Sequence, residues 1–367
     1  MAKQPETVRF AIMGCADIAR KLARAIALAP NATLSAVASR SLQKAQTFAA
    51  QNALPDTVSL YGSYHELLDD PSVDAVYLPL PTSLHVQWAV AAASRRKHVL
   101  LEKPGALNTA DLDRILEACE SNGVQFMDGS MWLHHPRTSH MHQLLSLSHS
   151  GSIGNIQFIH STSTMHTTPG FLESNIRVKA ELDALGALGD LAWYCIGASL
   201  WAKSYQLPAT VIALPDVTRN AAGVILSITA SLHWDQPNQT EAIIHCSFLS
   251  HTSMDLAISA SNGSLHVKDF IIPFREDIAS FDFTFGAKFV DLHIGWNVKP
   301  EQVNVPNLLP QEALMVQHFA TLVAGIRDCA SSPDNKWPEI TRKTQVVVDA
   351  VNKSLDLGCK PVFLWNE

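Results

Sequence analysis

The sequence predicts an α/β protein of two domains: a doubly wound parallel sheet, then an α+β domain built on an open, mainly antiparallel sheet. Its 367 residues exceed the roughly 250–300 at which a single core usually divides. Residues 7–130 alternate short apolar strands with segments of helical period, and β-rich runs dominate after residue 150. These observations place the first domain at residues 1–130 and the second at residues 131–367.

The first domain consists of βα units. Apolar strands are predicted in the runs TVRFAIMG, ATLSAVASR, VDAVYLPLP, HVLLEKP and VQFMDG. Helices are predicted in IARKLARAIALAP, SLQKAQTFAAQN, SYHELLDD, HVQWAVAAASRRK and TADLDRILEACESNG. Near-continuous apolar strands separated by helices are typical of a parallel sheet that helices cover on both faces.

The second domain is predicted to combine a buried helix with a large sheet. The run LGALGDLAWYCIGASLW, residues 185–201, is too short and too rich in glycine for a membrane span, and Asp190 lies at its centre. Strands are predicted in GNIQFIHSTSTMH, ATVIALPDVT, GVILSITASLHW, EAIIHCSFLS, SMDLAISASNGSLHVKDF and SFDFTFGAKF. Two helices, QEALMVQHFATLVAGIRD and ITRKTQVVVDAVNKSLDLG, close the chain.

Composition and charge exclude several classes of protein. With 47% hydrophobic and 17% charged residues, the chain has the composition of an ordinary globular protein. A net charge of −7 without a basic stripe argues against nucleic-acid binding. The six cysteines are scattered, and the amino end MAKQPETVRF lacks the apolar stretch of a secretory signal. We therefore expect a cytoplasmic protein with free thiols that binds neither nucleic acid nor membrane.

A glycine turn follows the first strand. Gly14, Cys15, Ala16, Asp17 and Ile18 form a variant of the GxGxxG pattern, with alanine at its second and third glycine positions. At the first strand–helix turn of a Rossmann domain, this pattern brings backbone N–H groups and the positive end of a helix to a pyrophosphate. The five residues are therefore candidates for dinucleotide binding.

The end of the second strand predicts which dinucleotide binds. A carboxylate there would hold the ribose 2′-hydroxyl of NAD, but the chain reads ASRS and has no acid before Asp56. Ser39 and Arg40, with Lys44 in the same set, suit a 2′-phosphate, so the sequence favours NADP(H). The alternative is that Ser41 caps the next helix beside a surface arginine.

Another cluster of residues lies at the end of the predicted strand VDAVYLPLP. Pro79, Leu80, Pro81, Thr82 and His85 lie where ligands bind in open α/β sheets. The alternative is a strand-to-helix turn that Thr82 or Ser83 caps.

The next strand ends in Glu102, Lys103 and Pro104. A lysine ammonium at this edge can hydrogen-bond a substrate oxygen, and the Lys103–Pro104 bond is a candidate cis peptide. The alternative is a simple charge pair at a strand end.

These motifs resemble, in order and spacing, those of the glucose–fructose oxidoreductase, inositol dehydrogenase and MocA (Gfo/Idh/MocA) family. They are the glycine turn, PTSLH at residues 81–85, EKP at 102–104, GSMW at 129–132 with Pro136, and the helix at 185–201. The resemblance covers essentially the whole chain. The chain most resembles a plant-type branch of the family, which is itself similar to dimeric dihydrodiol dehydrogenase and NADP-dependent D-xylose dehydrogenase.

The resemblance implies an NADP-dependent dehydrogenase or reductase with its active site between the two domains. It assigns Lys103 to the reacting oxygen, Asp190 to the acid of the family's helix motif, and Tyr194 to proton exchange. It adds Glu102 and Lys103 to the cofactor site. Trp132, His135 and Arg177, together with Tyr194, are the candidates for substrate contact.

The residue chemistry is consistent with these roles. On an α-helix, Asp190 and Tyr194 share a face because they lie four residues apart. A tyrosine is a poor base at neutral pH because its ordinary pKa is about 10, but an ammonium such as that of Lys103 favours the phenolate. Asp190 would then be the counter-charge of Lys103. The alternative is that backbone N–H groups satisfy Asp190 locally.

Other features limit what the resemblance implies. Leu133 stands where many relatives carry arginine, so substrate identity does not transfer. Ala192 stands where they carry glycine, so we expect the helix to approach its neighbours at a different distance. The histidines at 134, 135, 140, 142 and 149 lack a metal-ligand spacing, so we expect no metal site.

The expected reaction is hydride transfer between NADP(H) and a carbinol or carbonyl carbon of a sugar, cyclic polyol, dihydrodiol or dicarbonyl. Three alternatives stay open: an imine or enone reductase, a redox-cycling lyase or glycosidase that retains its nucleotide, and a nucleotide-sensing binding protein. An exposed sheet face would be an apolar patch, so we also expect a homodimer through the second sheet.

Overall fold

The chain divides into two compact units. The computed structural model describes residues 7–146, 153–236, 238–289, 292, 295–329 and 331–364. One unit comprises Met1–His134 with Leu309–Arg342, and the other comprises His135–Leu308 with Lys343–Glu367. The sequence alone placed the division at residue 130 and assigned everything after it to the second domain.

The elements follow one another along the described residues as strands and helices. Up to residue 128 they are β1 (Val8–Met13), α1 (Asp17–Leu28), β2 (Ala32–Ala38), α2 (Leu42–Gln51), β3 (Ser59–Tyr61), α3 (Tyr64–Asp69), β4 (Ala75–Leu78), α4 (His85–Ser94), β5 (His98–Leu101), α5 (Thr109–Ser121) and β6 (Phe126–Asp128). The remainder are α6 (Pro136–Ser146), β7 (Ile156–Thr164), α7 (Pro169–Ser174), α8 (Trp193–Ala202), β8 (Thr210–Ala213), β9 (Thr218–Arg219), β10 (Ile225–Trp234), β11 (Thr240–Ser247), β12 (Ser253–Ala260), β13 (Gly263–Val267), β14 (Ile278–Phe285), β15 (Glu301–Pro306), α9 (Gln311–Cys329), α10 (Lys336–Asp356) and β16 (Val362–Phe363).

The first unit contains a six-stranded parallel sheet of order β3-β2-β1-β4-β5-β6. This is the doubly wound order that the sequence predicts. Every residue of β4 and β5 is buried, which explains their unbroken apolar pattern. Because all six strands run the same way, their carboxyl ends meet along one edge, where the motif residues lie.

The helix α9 returns to the first unit because it packs against α1, β1 and β2. Asn31 shows the contact directly, since its side-chain Nδ2 donates to the carbonyl oxygen of Gln317, 3.0 Å away. The sequence could not predict this return, because an amphipathic helix does not state which of two sheets it covers.

The second unit contains a ten-stranded sheet of order β15-β14-β13-β12-β7-β11-β10-β8-β16, with β9 paired to β10. Among the described strands β7 and β11 are parallel and the other neighbours are antiparallel. The predicted mainly antiparallel sheet is therefore confirmed.

The less buried face of this sheet differs from expectation. On β7, β10 and β11 it carries mostly serine, threonine and histidine: Ser227, Thr229, His233, His160, Thr162 and His245, with Phe158 and Ile243 among them. The expected apolar patch was wrong, because the alternation along each strand places polar residues outward.

The predicted helix at residues 185–201 is also interrupted. Leu188–Ala192 form a single π-helical turn, and the α-helix α8 begins only at Trp193. Across the part of the chain that the structure describes, no helix is long and apolar enough to span a lipid bilayer.

Candidate active site

Gly14 shapes the turn after β1. Its φ is +124°, a backbone conformation that residues with a Cβ rarely adopt. A Cβ at this position would lie 2.9 Å from Cδ2 of Leu80, so the turn packs closely on the loop that follows β4. No side-chain hydrogen bond caps the amino end of α1, where Ala16 is the N-cap. The backbone N–H groups and positive end of α1 suit an anion such as a pyrophosphate.

A pocket of about 350 Å³ lies beside this turn at the start of α2. Its lining includes Cys15, Ser41 and Lys44. Ser41 makes no capping hydrogen bond to α2, so the alternative in which it caps the helix is wrong. Burial raises the pKa of the Cys15 thiol, while the Lys44 ammonium and a hydrogen bond with Ser39 oppose that shift. The glycine turn, the end of β2 and the cation of α2 therefore meet at one pocket.

An aromatic pair near Arg40 was not predicted from the sequence. Tyr64, the buried first residue of α3, meets Trp88 edge-on with ring centroids 4.9 Å apart. Burial raises the pKa of Tyr64, and the guanidinium of Arg40 opposes the rise. An aromatic residue directly after β3 was the available signal, but its partner in α4 is distant in sequence.

The loop after β4 leads through a 3-10 turn, Thr82–Leu84, into α4. Thr82 is 3% exposed, and His85 is fully buried. The Nε2 atom of His85 lies 2.9 Å from the carbonyl oxygen of Leu80, and its Nδ1 atom lies 3.1 Å from that of Gly105. The structure thus places both ring nitrogens against backbone of the first unit.

Glu102 and Lys103 follow directly after β5. The Glu102 carboxylate accepts hydrogen bonds from the Tyr77 hydroxyl and, at 3.3 Å, from the Lys103 backbone N–H. A Cβ on Gly129 would lie 3.1 Å from Oε1 of Glu102, so the turn after β6 also packs on this carboxylate. The Lys103–Pro104 peptide bond is cis, as expected.

Trp132 and His134 lie in a 3-10 turn at the end of the first unit's amino-terminal segment. Trp132 is buried, and the His134 ring stacks on Trp337 with centroids 4.7 Å apart. Burial lowers the pKa of His134 to about 3, with smaller contributions from His318 and Lys336. His318 and Trp337 come from α9 and α10, and their contact with His134 was not predicted from the sequence.

His135 begins the second unit and is 2% exposed. Its Nδ1 accepts the backbone N–H of Arg137 at 2.9 Å, and burial lowers its pKa to about 4, with Arg137 as the next cause. Arg137 forms a buried ion pair with Asp269 at 2.5 Å. The predicted substrate residue His135 therefore lies in the packed interior of its unit.

The candidate acid lies in the π-helical turn of the second unit. Gly186 precedes this turn with a φ of +57°, and a Cβ there would lie 2.1 Å from the carbonyl oxygen of Ile225 in β10. The Asp190 N–H donates to the Gly186 carbonyl oxygen at 2.9 Å. A π-helical turn inside a helix is rare and is frequent at functional sites.

Within its unit Asp190 pairs with an arginine. Arg177 Nε lies 2.9 Å from Asp190 Oδ2, and the two side chains are 36% and 13% exposed. The 3-10 turn Ile176–Val178 positions Arg177, because Asn175 Oδ1 accepts the Arg177 backbone N–H at 3.0 Å. The structure therefore brings together Asp190 and Arg177, which the sequence analysis treated separately.

Tyr194 is the second residue of α8 and is 7% exposed. The next residue, Cys195, places its thiol 3.7 Å from that of Cys246 in β11. Burial and the neighbouring Cys195 raise the pKa of Cys246. The sequence analysis assigned no role to either cysteine, and both pack between the helix and the sheet.

The described residues contain no group of three or more metal-ligating side chains that could hold an ion. Of the histidines considered for a metal site, His149 lies outside the described residues.

Several known proteins have sequences similar to this chain. The family model described as "Oxidoreductase family, NAD-binding Rossmann fold" matches residues 8–130. The chain is 30% identical over 256 residues to D-xylose 1-dehydrogenase (NADP(+)) 2 of Haloferax volcanii, covering 70% of this chain and 74% of that one. It is 36% identical over 197 residues to dTDP-3,4-didehydro-2,6-dideoxy-alpha-D-glucose 3-reductase of Streptomyces violaceoruber, covering 53% of this chain. The match spans about half of that reductase, 54% of its length.

A solved structure extends the similarity to nearly the whole fold. The 3-ketoreductase KijD10 of Actinomadura kijaniata, crystallised with NADP and TDP-benzene, superposes with a TM-score of 0.78 at 25% identity. The superposition covers 95% of this chain and 98% of the ketoreductase.

Proposed function

Because this chain belongs to the Gfo/Idh/MocA family of oxidoreductases, we propose that it is an NADP(H)-dependent dehydrogenase or reductase. Its reaction is hydride transfer between the nicotinamide and a carbinol or carbonyl carbon of a sugar, cyclic polyol, dihydrodiol or dicarbonyl. The observation that carries the proposal is the pocket where the glycine turn meets Ser41 and Lys44.

The preference for NADP(H) rests on the chemistry of that pocket. Neither Ser39 nor Arg40 is acidic, so no carboxylate at the end of β2 competes with a 2′-phosphate. Lys44 supplies an ammonium, and the amino end of α2 has no side-chain cap. Uncapped helix N–H groups and two nearby cations favour a phosphate over a ribose hydroxyl.

The pyrophosphate is proposed to lie at the amino end of α1. Gly14 lets the backbone turn there, and Ala16, Asp17 and Ile18 begin the helix. The loop of Pro79, Leu80, Pro81 and Thr82, which packs against Gly14, closes the same edge of the sheet. Compared with glycine, Ala16 adds one methyl group where the pyrophosphate would approach the backbone.

We assign the chemical step to Lys103, Tyr194 and Asp190. NADP(H), when bound, supplies or accepts the hydride. The ammonium of Lys103 hydrogen-bonds the reacting oxygen and stabilises negative charge on it. Tyr194 delivers the proton to that oxygen or removes it from there. Asp190 lies 2.9 Å from Arg177 and neutralises its positive charge in the turn that precedes Tyr194.

The proposed substrate contacts are Trp132, His135, Arg177 and Tyr194. Arg177 is the most accessible of the four, since 36% of its side chain is exposed, whereas the other three are buried. A half-exposed guanidinium can donate to hydroxyl or carbonyl oxygens of a polyol without leaving Asp190, because it carries five N–H donors.

Titration with NADPH and NADH is the first test of the cofactor. We expect NADPH to bind more tightly and to be oxidised with members of a panel of aldoses, inosose-type ketones and dicarbonyls. Arg40→Gln is expected to weaken NADPH binding about tenfold or more while leaving NADH unchanged. Arg275→Gln removes an exposed arginine of the second unit and is the charge-matched control. Tighter binding of NADH than of NADPH contradicts the cofactor proposal.

We further propose a cytoplasmic homodimer through the ten-stranded sheet. The six cysteines are all free, which suits a reducing compartment. The serine-, threonine- and histidine-rich face of β7, β10 and β11 would make such an interface polar. Light scattering that returns the mass of one chain contradicts the dimer.

A further inference from the structure

His85 lies between the two loops of the first unit that bear on the proposed chemistry. It is the first residue of α4, and none of its surface is exposed. One ring nitrogen faces the Leu80 carbonyl oxygen at 2.9 Å, and the other faces that of Gly105 at 3.1 Å. Both distances lie in the range of N–H···O hydrogen bonds.

Both carbonyl oxygens that face His85 are acceptors. Because a carbonyl oxygen cannot donate, each bond forms when the ring nitrogen that faces it carries the N–H. The full burial of the ring keeps water from replacing either bond.

The Leu80 side of this bridge reaches the glycine turn. A Cβ on Gly14 would lie 2.9 Å from Cδ2 of Leu80 and 3.5 Å from the carbonyl oxygen of Pro79. A shift of Leu80 toward β1 would therefore collide with the turn, and a shift away would open the place proposed for the pyrophosphate.

The Gly105 side reaches the loop of Lys103, two residues earlier in the chain. Gly105 is packed against Leu112 of α5 and Thr341 of α10, since a Cβ there would lie 3.1 and 3.2 Å from their side-chain atoms. With that contact on one side and the His85 ring on the other, the backbone after Lys103 is held from two directions.

We propose that His85 is a positioning residue that fixes the nucleotide-binding turn and the Lys103 loop relative to each other. Its Nε2 bond to Leu80 sets the turn for the nucleotide, and its Nδ1 bond to Gly105 sets the loop for the reacting oxygen. The proposal rests on the proposed function of Lys103. In this proposal His85 acts through two backbone carbonyls and does not contact the cofactor directly.

Two substitutions separate the two bonds. In His85→Asn the amide nitrogen lies near the place of Nδ1, so it retains a donor for Gly105 and loses the one for Leu80. In His85→Gln the amide nitrogen reaches the place of Nε2, so it retains the donor for Leu80 and loses the one for Gly105. His65→Gln, at an exposed histidine of α3, is the control.

The expected result is a split between binding and turnover. His85→Asn raises the Kd of NADPH about tenfold with little change in kcat, and His85→Gln lowers kcat about tenfold with little change in Kd. Hydrogen exchange rises at residues 79–82 in the first variant and at 103–106 in the second. Parallel losses in Kd, kcat and melting temperature in both variants, or no effect in either, overturn the proposal.

The exchange measurement keeps this proposal separate from the proposed function. If the wild-type chain binds no NADPH and turns over no carbonyl compound, the proposed function fails while the exchange pattern still tests the bridge. If the wild-type chain is active and the two variants show the same exchange pattern, the bridge alone fails.

Discussion

In the first unit the candidate residues follow the carboxyl ends of parallel strands, whereas in the second unit they lie around one distorted turn. Gly14, Ser39, Thr82 and Lys103 come after β1, β2, β4 and β5, so the topology of one sheet gathers them. Asp190 instead owes its place to a π-helical turn that Gly186 presses against β10.

The two kinds of site are vulnerable to different substitutions. A site gathered by strand order tolerates changes in single loops, because the other strand ends stay in place. A site that depends on one turn fails when the residue that permits the turn is changed. Substitutions in the two units should therefore differ in how far their effects spread.

The largest expected effect is that of Gly186→Ala. The added Cβ would lie 2.1 Å from the Ile225 carbonyl oxygen and 2.7 Å from Val224 Cγ1, at a φ of +57°. Left-handed strain of about 1–2 kcal/mol and overpacking of about 1–3 kcal/mol both oppose folding. We expect turnover to be lost and the melting temperature of the second unit to fall sharply in calorimetry.

Gly123→Ala is the matched control in the first unit. Gly123 has a similar φ of +63°, but a Cβ there meets nothing within 4 Å. It should cost only the backbone strain and leave turnover intact. Equal losses of stability in the two variants would contradict the view that the contact with β10 fixes the π-helical turn.

The next largest effect is expected for the two proposed proton- and oxygen-binding residues. Lys103→Met and Tyr194→Phe should each lower kcat by about 10²–10⁴-fold and leave the Kd of NADPH unchanged. The proposed function has both groups act on one oxygen, and it therefore predicts that the double variant is little worse than either single variant.

Tyr61→Phe is the control for the loss of a phenol, since the Tyr61 hydroxyl binds Asp70 in the first unit. Full turnover in Lys103→Met with nucleotide still bound would remove the catalytic assignment. If the losses in kcat multiply in the double variant, Lys103 and Tyr194 act in different steps of the reaction.

A smaller effect is expected from the ion pair beside the π-helical turn. Arg177→Gln leaves the mostly buried Asp190 carboxylate without a cation 2.9 Å away, so we expect kcat to fall about tenfold. Asp190→Asn in the same background should restore part of the loss, with a coupling of about 0.5–3 kcal/mol from the double-mutant cycle. Additive losses would show that the pair does not act as a unit.

No change in turnover is expected from the pH dependence of stability, where the two units resemble each other. Burial lowers the pKa of His98 in β5 to about 4, and its Nδ1 accepts the Gln125 backbone N–H. His135 in the second unit has a pKa of about 4 as well, and its Nδ1 accepts the Arg137 N–H. Protonation of Nδ1 breaks either bond.

The direction in which stability changes with pH follows from proton linkage. The unfolded chain binds protons at these histidines near pH 6.5, but the folded chain does so only near pH 4. Each histidine therefore lowers stability as the pH falls from about 6.5 to 4, and His98 contributes up to about 3 kcal/mol of that loss. His98→Asn keeps an acceptor that does not titrate, so urea unfolding should lose less stability between pH 7 and 4.5. An unchanged loss contradicts the assignment.

The sequence predicted the first unit well because its signals are local. The unbroken apolar runs AVYL and HVLL specify strands buried on both faces, and polar residues directly after them must lie at the sheet's carboxyl edge. The NADP(H) preference used the same logic, since it depends on three residues after β2. The motif at Lys103 was specific enough to indicate a family without knowledge of any contact.

Tertiary structure alone decided the partners of those residues. Arg177 and Asp190 are thirteen positions apart and belong to different turns, so no spacing rule joins them. The π-helical turn forms because Gly186 must fit against the backbone of β10, a strand that comes some forty residues later.

The amino-acid sequence was sufficient to predict which residues end strands and which side chains carry chemistry, because backbone period and side-chain type are local properties. Packing decided which carbonyl His85 meets and which acid Arg177 neutralises, because those contacts depend on where distant segments fold.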